Sequence, residues 1–142
     1  MSRKTRPGKM ISMLAVSLLA VGLLEVGEVF GAAASELARA HSGGGVTVKV
    51  TYLNPQGADG PRFQVVLDTH SVDLDAYDLK SLSSLRDGAG KPLKPTEMKN
   101  KGSGHHREVT LTFPKLSAQP SSLEIVIRDI AGVKQRVFRW EF

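Results

Sequence analysis

The chain has no cysteine at all among its 142 residues. That excludes a disulfide scaffold, a thiolate nucleophile, zinc held by sulfur, and the His₂Cys arrangement of blue copper. Aromatic residues are scarce, at 6% with a single tryptophan, and no run of clustered Lys and Arg with interleaved aromatics occurs after residue 40. The pI of about 9.7 is therefore weak ground for nucleic-acid binding. The first forty residues hold five of the 19 basic and three of the 14 acidic side chains, which leaves 14 against 11, a net +3, for the remainder. No G-x-S-x-G elbow exists, and one domain of this size has little room for the cleft between paired carboxylates that a glycosidase needs. The expectation is a protein that is not an enzyme and does not bind nucleic acid.

What is present falls into two parts. Arg3, Lys4, Arg6 and Lys9 form a basic start without an acid, and Met10 to Leu24 is an uncharged, largely apolar run ended by Glu25. A basic segment followed by a short apolar one is the pattern of a secretory signal, and the run falls short of the roughly 20 residues that span a bilayer. Gly31-Ala32-Ala33-Ala34 offers a small-residue cleavage site, and Ala38-Arg39-Ala40 a second one further from the apolar run. Residues 1–34 read as a signal peptide or an uncleaved anchoring helix, 35–45 as a linker with Gly43-Gly44-Gly45, and 46–142 as one domain. The domain lies outside the cytoplasm, periplasmic or secreted, and meets the membrane only through the N-terminal segment if that stays attached.

Within 46–142 the hydrophobic period is 2, with turn signals about every 8 to 15 residues. Strands are expected at Val46–Leu53, Phe63–Ser71, Leu82–Arg86, Lys91–Met98, Arg107–Phe113, Leu123–Arg128 and Lys134–Phe142, with Lys99–Gly104 a loop. The inward sets nominate Val48, Val50, Phe63, Val65, Leu67, Leu111, Phe113, Ile125, Ile127, Phe138 and Trp140 for the core. About seven short strands and no 3.6-residue stripe predict an all-β, immunoglobulin-like antiparallel sandwich preceded by the signal or apolar helix.

Two polar clusters carry chemistry: Asp68-Thr69-His70-Ser71 and Gly104-His105-His106-Arg107-Glu108. In such a sandwich the second and fifth strands are neighbours. If His70 pairs with His106, Asp68 faces Glu108, because antiparallel partners keep a constant index sum. Two imidazoles and two carboxylates then share one face about 5 Å apart, a set suited to Zn²⁺ or Cu²⁺, with His105 as a further ligand. A two-residue shift in register would separate the pairs, leaving Arg107 to neutralise Asp68 or Asp68 and Ser71 to bond local backbone. Asp73-Leu-Asp-Ala-Tyr-Asp78 has three acids in six residues, which suits Ca²⁺ in type, but it lacks the glycine and distal glutamate of an EF-hand loop.

Ile127-Arg-Asp-Ile-Ala-Gly-Val133 and the aromatic strand after it resemble the closing hairpin of bacterial immunoglobulin-like domains. Leu67-Asp-Thr-His-Ser-Val-Asp-Leu74, Leu85-Arg-Asp, Gly104-His-His-Arg107, Leu111-Thr-Phe-Pro114 and Arg136-Val-Phe-Arg-Trp140 resemble an uncharacterised family of exported bacterial and archaeal proteins, over most of residues 46–142. The resemblance implies one exported domain and brings no activity with it. Two functions remain open: a non-enzymatic module binding Zn or Cu through His70, His106, Asp68, Glu108 and His105, or a structural module that presents a surface to an envelope protein.

Overall fold

Met1 and residues 36–89 and 91–142 are described by the computed structural model. The expected signal segment and both its fates, cleavage or anchoring, lie outside those residues. Among the described residues no helix is long and apolar enough to cross a membrane.

The chain forms two antiparallel sheets. Five strands are ordered β1 (Ala38–Gly43), β2 (Val46–Tyr52), β3 (Arg62–Thr69), β6 (His106–Thr112) and β5 (Glu97–Ser103). The second sheet is β4 (Ser83–Arg86), β7 (Ser122–Ile130) and β8 (Val133–Glu141). Alternation decides which side chains lie between them. Val46, Val48 and Val50 of β2, Phe63, Val65 and Leu67 of β3, and Val109 and Leu111 of β6 are buried against Ile125 and Ile127 of β7 and Phe138 and Trp140 of β8. Tyr52 stacks on Phe63 with centroids 4.6 Å apart, and Phe63 lies 5.2 Å from Trp140, so the few aromatic rings concentrate at one pole. Every residue nominated for the core is buried. Phe142, two residues beyond Trp140, is 61% exposed and touches Tyr52 edge-on.

Three readings need correction. Residues 35–45 are not wholly a linker: Ala38–Gly43 pairs with β2 from Ala38 opposite Thr51 to Gly43 opposite Val46. Gly44 and Gly45, at φ 62° and 77°, make the two-residue turn with positive φ at both positions that suits the twist of a hairpin. Lys91–Met98 is not a strand. Pro92 and Pro95 withhold two ladder donors; before the strand begins at Glu97, Leu93 exchanges both backbone bonds with Leu85 and the Thr96 N–H donates to the Thr112 carbonyl. The supposed loop Lys99–Gly104 is therefore mostly β5. Finally, β3 ends at Thr69, whose hydroxyl accepts from the backbone N–H of Ser71 and Val72 and donates to the Gly45 carbonyl.

Between β3 and β4 the chain crosses from one sheet to the other, burying Leu74 and Leu79. A 3₁₀ turn (Leu74–Ala76) and the single-turn helix α1 (Leu79–Leu82) are each opened by an aspartate: Asp73 accepts from the Asp75 N–H, and Asp78 from the Lys80 N–H.

Candidate functional site

The histidine clusters do come to one end of the five-stranded sheet, but in a register two residues away from the one expected. Asp68, not His70, lies opposite His106, and Val66 lies opposite Glu108. A slip of two keeps every side chain on its own face, so alternation alone cannot choose between the registers. Arg107, the next residue on β6, ties this strand to the crossover and to β5. Its strand places it inward beneath the 3₁₀ turn, where Nη1 donates to the carbonyls of Leu74 (2.8 Å) and Tyr77 (2.6 Å) and Nε to Asn100 Oδ1 (2.8 Å).

The consequence for the candidate ligands is direct. His106 Nδ1 is hydrogen-bonded to Asp68 Oδ1 on the outer face, with both side chains more than half exposed. Glu108 accepts from Gln64 Nε2 at 2.9 Å. His105 sits in the β5–β6 turn, where its carbonyl accepts from the Thr69 N–H. His70 lies exposed just beyond the end of β3. Among the described residues no group of three or more His, Asp or Glu side chains is placed to hold a metal ion. One pair has assembled; the expected four-residue set has not. The acids of 73–78 are likewise taken up by the backbone: besides the two caps, Asp75 Oδ2 accepts from the Gly104 N–H at 3.1 Å. Asp78 is held below the ordinary carboxylate range chiefly by the hydrogen bond from the Ser81 hydroxyl, with backbone N–H groups and Arg107 adding to it.

Two arginines are buried at this pole: Arg107, which shares the inward face of Val109, Leu111 and Phe113 and so does not neutralise Asp68 at the surface, is 6% exposed, and Arg136 is 1% exposed. Arg136 donates to Ile130 O (3.0 Å) and Gly43 O (2.7 Å), and its Nε has no partner among the described residues. Burial pushes its pKa down. The available signal was their place in the alternation, since both fall on inward positions.

The opposite pole holds a cleft of about 290 Å³ that periodicity cannot reveal, because loops make it. Its lining is mixed, with Tyr52, Pro61, Leu116, Pro120, Leu123 and Phe142 set beside Asp59, Lys115, Ser117 and Gln119. No protein-family model matches the chain, and neither a curated protein nor a solved structure matches it. Function has to be argued from these two poles.

Proposed function

We propose that the protein is an exported, non-enzymatic binding module on an immunoglobulin-like sandwich, which takes an apolar side chain of an envelope protein into the Tyr52–Phe142 cleft. The fold assignment is supported by strand order: β2-β3-β6-β5 against β4-β7-β8 follows the A-B-E-D and C-F-G order of a constant-type domain, with β1 added outside the first strand. The cleft carries the functional reading. A hollow in which apolar side chains stand beside a few polar groups is the usual form of a binding site, this one pairs Tyr52, Leu116 and Phe142 with Asp59, Lys115 and Gln119, and Phe142 and Leu53 are exposed apolar side chains at the same pole.

The test is capture of an envelope partner from extracytoplasmic extract by the intact protein, repeated with Leu116→Asp and Phe142→Asp. The partner is retained by the native chain and lost from both variants while their far-UV spectra stay β-type. Capture that survives both substitutions overturns the cleft as the site.

The His106–Asp68 bond favours a second reading, Zn²⁺ or Cu²⁺ binding. Metal-bound imidazoles commonly give their other ring nitrogen to a carboxylate, and Asp68 is so placed. His70, His105 or Glu108 would have to move in to complete a shell. Calorimetry with each ion separates the readings: one-to-one binding abolished by His106→Ala supports the metal site, and no heat at neutral pH removes it.

A further inference from the structure

Four strand edges bound the two sheets, and three are occupied. The β4 edge is bridged by Leu93. The β1 and β8 edges face each other and are tied by Arg39 Nε on Arg139 O (3.2 Å), Arg136 Nη2 on Gly43 O and Trp140 Nε1 on Leu37 O (2.9 Å). The β5 edge differs. Among the described residues its backbone bonds only β6 and its own Asn100 side chain, which donates to Gly102 O.

The charge at this edge is equally uneven. Residues 91–101 hold Lys91, Lys94, Lys99 and Lys101 against Glu97 alone, a net +3. That equals the whole net charge of residues 41–142, so the rest of the domain is balanced. Lys99 and Lys101 lie on the outer face, opposite Thr110 and Glu108. Lys99 shares Glu97 at 3.6 Å, while the Glu108 carboxylate is engaged by Gln64.

We infer that β5 is a docking edge for an extended acidic segment of another protein, which adds to the sheet as a strand beside β5. Unpaired backbone groups supply the ladder in this mode and alternate side chains supply the choice of partner. Lysines at an edge also discourage self-pairing. A second copy's β5 in the central antiparallel register would set Lys99 against that copy's Lys101, and like charges directly opposite repel. The same two side chains that refuse a second copy attract a strand with carboxylates at alternate positions. This site is independent of the cleft at the aromatic pole.

The test uses the full chain and a capped seven-residue peptide alternating Thr and Glu, against three comparisons: its Thr/Lys counterpart, the Thr/Glu peptide N-methylated at alternate residues, and phosphatidylglycerol vesicles. The Thr/Glu peptide binds and slows hydrogen exchange in β5, and the Thr/Lys peptide does not bind. Lys99→Glu with Lys101→Glu weakens the acidic peptide by about tenfold or more and transfers preference to the Thr/Lys peptide. Equal binding of the N-methylated peptide overturns strand addition, since charge alone would then suffice. Vesicle binding without peptide binding overturns the proposal in favour of a lipid surface.

Discussion

Arg136 is the side chain on which most depends at the histidine pole. It is a buried cation with no carboxylate beside it among the described residues; two carbonyls from different parts of the chain are its partners. Arg136→Ala removes a donor from each of these carbonyls and opens a cavity, so unfolding in urea should show a loss of about 3 kcal/mol. Arg136→Met refills the volume without restoring the donors and should recover only part of it. Asp78 gives a prediction in pH. Its carboxylate is favoured in the folded chain, so the stability it contributes is present above the ordinary carboxylate range and is lost as pH falls through its lowered folded value. Asp78→Asn keeps a capping side chain and removes the titration; its acid-unfolding curve should therefore be shallower than that of the native protein. Neither role could be read with confidence from the sequence. Arg107 and Arg136 sit on inward positions of clean alternations, yet an inward arginine is legible only once the carbonyls that will meet it are placed, and those come from residues 30 or more positions away for Arg107 and 93 for Gly43.

At the scale of elements, β7 buries Ile125, Val126 and Ile127 in succession, while alternation was enough for β2, β3, β6 and β8, because each buries one face and the period tells which. It failed for β1 and β5. Both lie at sheet edges, where the pattern is polar on both faces: β5 buries none of its residues fully, and β1 none either. The same weakness explains the ligand set. Faces were assigned correctly for Asp68, His106 and Glu108, while their pairing depended on a register that the period leaves free by two. The strand hidden in Ala38–Gly43 has a measurable consequence. A chain beginning at Ser35 retains β1 and the Leu37 carbonyl that accepts from Tyr52 N–H and Trp140 Nε1. One beginning at His41, as the second small-residue cleavage site would leave it, loses Ala38–Ala40 and bares β2. Its melting temperature should be lower by on the order of 10 °C. Equal melting temperatures would show β1 to be dispensable.

For the whole molecule, the poles divide the work. Buried arginines and capping aspartates lock the histidine end, where the turn of the first hairpin meets the turn of the last: a Cβ at Gly44 would lie 2.0 Å from the Ala131 carbonyl oxygen. Any side chain there must part the two turns, and φ of 62° adds backbone strain. The aromatic end is open, loop-built and mixed in its lining. Glu36, Leu37 and Phe142 border one shared hollow beside it, so the first described strand enters where the last one leaves. In topological terms the domain is a nearly closed ring. Joining residue 142 to residue 36 through a short Gly/Ser bridge and reopening the chain at Gly88, which is free of contacts around its Cβ position, should give a permuted protein with the same sheets and a cooperative melt. The same closeness of ends would let the domain be spliced into a surface loop of a larger host with little disturbance to either, a handle for building it into assemblies that its own sequence order does not suggest.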